Sequence, residues 1–167
     1  MKWPKISIIT PSYNQGKYLE QTILSVISQN YPNYEYLIID GKSTDNSVEI
    51  IKKHEKHLSF WVSEKDNGQS HALNKGFKLA TGDIFCWINS DDFFYPGIFN
   101  KMASEFLNNS DVFFIHGYQN HVDEFGIKLY ETYPTCKNPK KAILYGGITR
   151  QLSCFFKKEC FYKLNGL

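Results

Sequence analysis

The sequence predicts an α/β fold in which a mostly parallel sheet is flanked by helices. Residues 5–9 are rich in β-branched Ile, residues 36–39 are an apolar run of strand length, and the segment between them has apolar residues at helical spacing. Residues 84–88 are five consecutive apolar residues, which is typical of a strand buried on both faces. Strands that alternate with helices in this way indicate parallel pairing.

The first two strand–helix units both end their strands in polar residues. Proline and small polar side chains at residues 10–14 are expected to stop the first strand. The next helix, over residues 17–29, places four apolar residues on one face: Leu19, Ile23, Val26 and Ile27. The second strand ends in Asp40, and Thr44 or Asp45 is expected to cap the helix after it.

Two adjacent acids, Asp91 and Asp92, follow the apolar run at residues 84–88. They repel each other, and a divalent cation gives a reason for such a pair because hard cations take oxygen ligands. Ligands of open α/β sheets bind outside the carboxyl ends of the strands. The alternative is a solvated turn, because Asp is a common N-cap. The polar ends of the two earlier strands favour a site.

The second half of the chain is expected to continue the mixed pattern. Its predicted elements are a helix over residues 95–107, a strand over 111–115, a hairpin over 120–133, a helix over 138–145, a strand over 153–157 and a helix over 158–164. The first of these helices has a predicted buried stripe of Phe99, Met102, Ala103 and Phe106. The hairpin is expected to turn at residues 123–126.

Length and composition agree with one domain. The chain has 167 residues, of which 42% are hydrophobic, and this is enough for one core. Its net charge of +2 and its lack of basic runs argue against nucleic acid as a partner. The longest apolar runs are far below the ~20 residues of a membrane span, and the first residues lack a signal-peptide apolar region. Four cysteines without CxxC pairing indicate reduced thiols, so a cytoplasmic location is expected.

Several ordered motifs closely resemble those of family 2 glycosyltransferases. The motifs are SIITPSYN (7–14), IDGKSTD (39–45), DNGQS (66–70) with ALNKG (72–76), GD (82–83) and NSDD (89–92). The resemblance implies a GT-A fold, a nucleotide-diphosphate sugar as donor, UDP being favoured, and inversion at the anomeric carbon. It implies a single domain over residues 1–167, with a nucleotide-sugar-binding half at 5–95 and a partial acceptor-side half at 96–167.

The resemblance also implies the acceptor class and the cellular setting. A saccharide or lipid-linked acceptor is expected, in cell-surface polysaccharide biosynthesis. Membrane contact would then be made through the acceptor, at the inner face of the membrane. The sugar and the acceptor themselves stay open, because the residues that choose them lie in variable loops.

For the nucleotide, the resemblance implies that Thr10, Pro11 and Tyr13 line the pocket. Asp40 is placed to accept a hydrogen bond from the uracil N3–H or from a ribose hydroxyl, and the resemblance favours the base. An acid that only orders its loop is the alternative for Asp40, and packing is the alternative for Tyr13. Asp45 is expected to be a helix cap rather than a ligand contact.

The motif at residues 66–76 runs from a loop into a helix, whose free N–H groups suit a sugar or a phosphate. Gln69, Asn74 and Lys75 are expected to contact the sugar or the diphosphate, with Lys75 offsetting the diphosphate charge. A solvated surface lysine is the alternative for Lys75. Relatives usually carry Asp where this chain has His71, so His71 is expected to be a tolerated helix residue.

The acids of the NSDD motif are the expected metal site. By resemblance Asp92 matches the last acid of the family's Asp-X-Asp motif, and it should coordinate Mn²⁺ or Mg²⁺ at the donor diphosphate. Asp91 should bind the ribose or reach the metal through water. The metal would neutralise the departing nucleoside diphosphate.

No catalytic base is assigned within the chain. By resemblance the Asp or Glu that deprotonates the acceptor would lie beyond Leu167, which suggests a truncated chain with little transferase activity. The later acids match no family motif: Asp111, Asp123, Glu124, Glu131 and Glu159. A binding unit that does not transfer sugar is therefore the main alternative. A nucleotidyltransferase and a dehydrogenase rank lower, because residues 10–16 contain only one glycine and no GxGxxG follows the first strand.

Overall fold

The computed structural model describes residues 3–133 and 154–167. Its strands are β1 (Ile6–Ser12), β2 (Tyr34–Asp40), β3 (Phe60–Ser63), β4 (Ile84–Trp87), β5 (Phe114–His116), β6 (Gln119–Val122), β7 (Lys128–Thr132) and β8 (Cys154–Lys157). Its α-helices in these ranges are α1 (Gly16–Ile27), α2 (Ser47–Lys53), α3 (Gln69–Leu79), α4 (Ile98–Asn108) and α5 (Lys158–Lys163), and Glu55–His57 form a 3-10 turn.

Six of these strands form one mixed sheet in the order β3–β2–β1–β4–β8–β5, as the predicted α/β class requires. The strands β3, β2, β1 and β4 are parallel, while β8 runs antiparallel to both β4 and β5. β6 and β7 form a separate antiparallel hairpin. The parallel half therefore gathers the carboxyl ends of four strands at one edge of the sheet.

Successive residues of the central strands face opposite layers, as strand geometry demands. Ile8 and Ile38 belong to a core formed with α1, α2 and α4, while Ile9 and Ile39 belong to a core formed with α3 and α5. Gly76 lets α3 approach the sheet closely, because a Cβ there would lie 2.7 Å from Cγ2 of Ile9. The sheet is thus covered on both faces, which explains its continuous apolar runs.

The first strand ends at Ser12, within the segment 10–14 that was expected to stop it, but it runs through Pro11 rather than ending before it. β1 continues to Ser12 and pairs with β2 along its whole length, with Pro11 opposite Ile39. On its other side β1 pairs with β4 only as far as Ile9. Pro11, which has no N–H to donate, therefore lies where one side of the ladder is open, and this is where strands tolerate proline.

Several other predicted boundaries moved. β3 was not predicted, α4 begins at Ile98 rather than at residue 95, and β5 begins at Phe114 rather than at residue 111. The predicted stripe of α4 is confirmed, since all four of its residues are buried. The predicted hairpin is confirmed as β6 and β7, with Gly126 at φ +82° in its turn.

The helix predicted over residues 138–145 lies outside the described residues. No helix within residues 3–133 and 154–167 combines the length and the hydropathy that a membrane span requires. The division of the chain into donor-side and acceptor-side halves stays a prediction.

Candidate functional site

The candidate site lies at the edge where the parallel strands end, which we call the carboxyl rim. Ser12, Asp40 and Ser63 are the last residues of β1, β2 and β3, and they are paired across the sheet in register. The loop that carries Asp91 and Asp92 begins directly after β4. Parallel pairing therefore brings the ends of β1, β2 and β4 to one edge, and these are the three polar strand ends that the sequence predicted to form a site.

Asp40 is completely buried at the rim, and its carboxylate accepts three hydrogen bonds from the protein. Ser43 donates through its hydroxyl at 2.5 Å and its backbone N–H at 2.9 Å, and the Ser63 hydroxyl donates at 2.6 Å. A carboxylate has about four acceptor positions, so one remains. Asp40 thus orders the loop after β2. A nucleotide would have to open this enclosure to reach it.

The two serines around Asp40 were missed by the sequence analysis. Ser43 belongs to the quoted IDGKSTD motif, but Ser63 ends a strand that was not predicted. Asp66 also reaches this point, because a Cβ on Gly41 would lie 3.0 Å from Asp66 Oδ2. The glycine therefore leaves room for a second carboxylate beside the loop that follows Asp40.

The three residues expected to line the nucleotide pocket differ in exposure. Thr10 is fully buried, and its hydroxyl lies 2.9 Å from the hydroxyl of the buried Tyr36. Pro11 is buried within β1 as well. Tyr13 lies just beyond the strand and is 63% exposed. Of the three, Tyr13 is the residue whose side chain is accessible to a base.

The loops after β1 and β2 are joined to each other by hydrogen bonds. Asn14, at φ +52°, accepts from the Thr44 N–H at 2.8 Å through its side chain. Asp45 accepts from the N–H groups of Gly16 at 2.9 Å and Ser47 at 3.0 Å, at the starts of α1 and α2. Desolvation raises the pKa of Asp45, but hydrogen bonds from the side chain of Ser47 and from the backbone of Gly16 and Ser47 lower it overall. Asp45 therefore pairs with free N–H groups at the first turns of α1 and α2, as a cap does, although the N-cap position of α2 is Asn46.

The loop that carries the paired acids is anchored by polar side chains of α1 and of the turn that follows it. Thr22 donates to the backbone oxygen of Asp92 at 2.7 Å, and the Ser25 hydroxyl accepts from the N–H of Phe94 at 3.1 Å. Gln29 donates to the backbone oxygen of Tyr95 at 3.0 Å. These side chains of α1 and of the turn after it therefore fix the backbone of residues 92–95. The apolar stripe used to predict α1 gave no sign of this role.

The charged form of Asp92 is electrostatically disfavoured at its position. Burial and the charge of the neighbouring Asp91 raise the pKa of Asp92 to about 6, while a hydrogen bond from Asn89 lowers it. Asn89 in turn accepts a bond of 2.6 Å from Gln69 at the start of α3. Asp91 is exposed beside it. Gln69 therefore reaches the acid pair through Asn89.

The other two residues expected to contact sugar or diphosphate have protein partners. The amide of Asn74 pairs with the backbone of Leu167 through two hydrogen bonds of 2.9 Å. Lys75 forms an ion pair with Glu64, just after β3. Lys75 is therefore neither a free cation nor a solvated lysine. His71 is exposed on the same helix.

A cavity of about 840 Å³ opens beside the acid pair, between the loop after β4, α4 and the strands β5 and β6. The wall includes both acids, Asp91 and Asp92, and the aromatic side chains of Tyr95, Tyr118 and Tyr133. Sites for small molecules combine apolar and aromatic walls with a few polar groups in this way. The cavity lies on the side of the acids away from β1 and β2.

Two of the later acids, Asp123 and Glu124, are engaged by other groups of the hairpin and of α1. Asp123 accepts from the backbone N–H groups of Phe125 and Ile127 in the hairpin turn. Glu124 pairs with Lys17 at 2.8 Å, and a hydrogen bond from this lysine lowers the pKa of the glutamate. A general base needs a pKa near the working pH. Glu124 in this pairing is therefore poorly suited to that role.

The donor set at the acid pair suits a hard cation with few protein ligands. No group of three or more His, Cys, Asp or Glu side chains with metal-site geometry occurs in the part of the chain described here. Magnesium sites commonly use one or two carboxylates together with phosphates and waters. Two repelling carboxylates, one with a raised pKa, fit that arrangement. They do not resemble a closed protein-only site.

The chain matches known proteins over most of its length. The profile of the family described as Glycosyl transferase family 2 matches residues 7–161. The putative teichuronic acid biosynthesis glycosyltransferase TuaG of Bacillus subtilis is 33% identical over 118 residues, covering 69% of this chain and 47% of that protein. The chain thus spans about half the length of the curated relatives it matches.

Solved structures resemble the fold. S. aureus TarS 1-349 in complex with UDP-GlcNAc superimposes with a TM-score of 0.75 at 20% identity, covering 96% of this chain and 47% of TarS 1-349. The mannosyltransferase PcManGT from Pyrobaculum calidifontis, in complex with GDP-Man and Mn²⁺, superimposes with a TM-score of 0.72 at 22% identity. That likeness covers 99% of this chain and 48% of the mannosyltransferase.

Proposed function

Because the chain belongs to glycosyl transferase family 2 and has the GT-A fold, we propose that it forms the donor-binding part of a glycosyltransferase. The proposed reaction moves a sugar from a nucleotide diphosphate to an acceptor hydroxyl with inversion. The observation that carries the proposal is the acid pair after β4, where Asp92 has a pKa raised to about 6 beside an open cavity. Carboxylates in such a state call for an external cation or donor.

The proposed donor is a UDP-sugar that lies across the carboxyl rim. The base would rest at the ends of β1 and β2, near Tyr13 and Asp40. Asp91 would face the ribose, and the diphosphate would extend toward Asp92 and the start of α3. The neighbours support a nucleotide sugar as the ligand class, since one was solved with UDP-GlcNAc and another with GDP-Man.

Asp92, with Asp91 beside it, would hold Mn²⁺ or Mg²⁺ at the diphosphate. A divalent cation bound there supplies charge neutralisation for the departing nucleoside diphosphate. The protein contributes the fixed position of the acid, through the Thr22 bond to the Asp92 backbone and the Asn89 bond to its side chain. Lys75 would offset the diphosphate charge on the α3 side only by leaving its ion pair with Glu64 for the donor.

The acceptor would enter through the cavity beside the acids. It would be a saccharide or a lipid-linked saccharide, because aromatic side chains such as Tyr95 and Tyr118 suit the faces of sugar rings and amides such as Gln119 suit their hydroxyls. The relationship to TuaG supports a role in cell-surface polysaccharide biosynthesis.

Calorimetry tests the donor and metal parts of the proposal together. UDP-GlcNAc and GDP-mannose are titrated into the protein with Mn²⁺ and then with excess chelator. We expect UDP-GlcNAc to bind only with the metal, and Asp92→Asn to lose this binding. Asp111→Asn is the matched control, because Asp111 is an exposed acid remote from the rim. Equal affinity in chelator would contradict the metal claim, and preference for GDP-mannose would contradict UDP.

The second candidate is a unit that binds a nucleotide sugar without transferring it. The observation in its favour is that three of the late acids are already engaged by the protein: Asp123 accepts bonds in the hairpin turn, and Glu124 and Glu131 form ion pairs. Loss of a general base typically costs about 10²–10⁴-fold in rate. Measuring UDP release with and without a saccharide acceptor separates the two functions, since only a transferase responds to the acceptor.

A further inference from the structure

We propose that Asn74 is a positioning residue, which holds the backbone of residues 166–167 against α3, and that it does not contact the donor. The side-chain NH₂ of Asn74 donates to the backbone oxygen of Leu167 at 2.9 Å, and its oxygen accepts from the Leu167 N–H at 2.9 Å. Both polar atoms of the amide are thus paired with one residue that is 93 positions away in the sequence.

The backbone opposite Asn74 is shaped for this contact. Asn165 and Gly166 have φ values of +60° and +111°, so the chain turns sharply after α5. A Cβ on Gly166 would lie 2.8 Å from Oδ1 of Asn74. Glycine is therefore required at 166 both for its conformation and for the close approach of the amide. We call this arrangement, formed by Asn74 with Gly166 and Leu167, the amide clamp.

The amide clamp continues a packed contact between α3 and α5. Phe77, one turn after Asn74 on α3, has its ring 5.3 Å from the ring of Phe161 on α5. Residues three apart on a helix share a face. The aromatic pair therefore sets the distance between the helices, and the Asn74 amide sets the path of the chain that leaves α5.

The clamp also ties that path to the carboxyl rim. α3 begins at Gln69, which bonds to Asn89 beside the acid pair, and Asn74 lies five residues further along. At 1.5 Å per residue the two positions are about 7–8 Å apart along the helix axis. One rigid helix thus carries both a contact to the acid loop and the clamp on residues 166–167. Given the proposed donor site, Asn74 would fix this segment beside the donor.

The test measures donor affinity and local exchange on the same variants. In Asn74→Ala we expect the affinity for UDP-GlcNAc with Mn²⁺ to stay within about twofold, because a positioning residue makes no donor contact. Hydrogen exchange at the Leu167 amide should rise by roughly tenfold, since the bond that protects it is gone. Asn74→Asp keeps the acceptor for the Leu167 N–H but loses the donor to the Leu167 oxygen, so its exchange should rise less than in Asn74→Ala.

Two further variants separate the clamp from general effects. Gly166→Ala disrupts the amide clamp from the side of residues 166–167 and leaves Asn74 itself unchanged. It should raise hydrogen exchange at the Leu167 amide. Lys78→Ala, an exposed change on the same helix, should alter neither measurement. Unchanged Leu167 exchange in Asn74→Ala, or a loss of donor affinity of about tenfold or more, would overturn the proposal. If the wild type does not bind UDP-GlcNAc, the proposed function fails, but hydrogen exchange at the Leu167 amide still shows whether Asn74 holds residues 166–167.

Discussion

Replacing Asp92 with Asn should make the folded protein more stable while removing its metal-dependent function. Burial and the charge of Asp91 raise the pKa of Asp92 from 3.8 to about 6. The charged form therefore disfavours the folded state once the pH exceeds 3.8, and the cost is complete above about pH 6. Asn has nearly the same shape and carries no charge, so Asp92→Asn removes this cost and leaves the backbone bond from Thr22 in place.

The size of the gain follows from the two pKa values. A rise from 3.8 to about 6 corresponds to about 3 kcal/mol of destabilisation by the charged form. Water around a partly exposed side chain screens the charge, so we expect a gain of about 1–2 kcal/mol. For a chain of this size, that gain raises the Tm by roughly 3–6 °C. The gain should grow as the pH rises from 3.8 to about 6 and stay constant above that.

Urea unfolding in excess chelator, at about pH 5 and about pH 8, measures this gain. We expect a larger difference between Asp92→Asn and the wild type at the higher pH. Asp111→Asn makes the same chemical change at an exposed site and should stay within about 0.5 kcal/mol of the wild type. A variant that is no more stable than the wild type at about pH 8 would refute the reasoning, because Asp92 would then carry no electrostatic strain. Added Mn²⁺ should stabilise the wild type but not Asp92→Asn.

Three further variants test the rest of the rim and the opposite end of the sheet. Glu35→Ala should destabilise the fold by about 3 kcal/mol, measured by urea unfolding, because it leaves buried donors unpaired. Desolvation raises the pKa of Glu35, but the hydrogen bonds to it lower the pKa overall. Its contribution to the free energy of unfolding is therefore fully present above pH 4.5 and is lost as the pH falls through the lowered pKa. Thr22→Val should weaken Mn²⁺-dependent binding of UDP-GlcNAc by several-fold in calorimetry, because the backbone of Asp92 loses its anchor. Thr10→Val should lower the free energy of unfolding by about 1–2 kcal/mol in thermal unfolding, because the Tyr36 hydroxyl loses its hydrogen-bond partner. Unchanged stability would mean that the Tyr36 hydroxyl does not depend on Thr10 for its hydrogen bond.

The fold was predictable where a local pattern decides it. The apolar run at residues 84–88 had to be buried on both faces, and three of its residues do form the core of β4. The stripe of α4 is buried at every predicted position, because helical spacing puts Phe99, Met102, Ala103 and Phe106 on one side. The position of the acid pair at the rim follows from the same logic, since it directly follows a core strand.

The contacts around the site were not predictable, because they depend on residues far apart in the sequence. β3 is a short edge strand without a long apolar run, so Ser63 as a partner of Asp40 could not be foreseen. The continuation of β1 through Pro11 depends on how far β4 pairs with it. The partner of Asn74 is the backbone of Leu167, which follows α5, and the motif around Asn74 does not indicate this contact.

The surroundings of Glu35 and Asp40 in β2, compared with those of Asp92 in the loop after β4, distinguish structural from functional carboxylates. Glu35, at the end opposite the rim, accepts hydrogen bonds from Ser7, Thr81 and Gly82 and pairs with Lys5 at 2.6 Å. Asp40 accepts three bonds from two serines. Both charges are balanced by donors that the fold itself supplies.

Asp92 has the opposite balance, since its pKa is raised by burial and by a second carboxylate and lowered by one amide. A carboxylate that the fold leaves unbalanced costs stability, and that cost is recovered when a cation or another positive group binds. The unequal supply of donors therefore identifies Asp92, more than Asp40, as the acid whose charge is directed to a ligand. If Asp40→Asn abolished Mn²⁺-dependent donor binding while Asp92→Asn left it intact, this ordering of the two acids would be wrong.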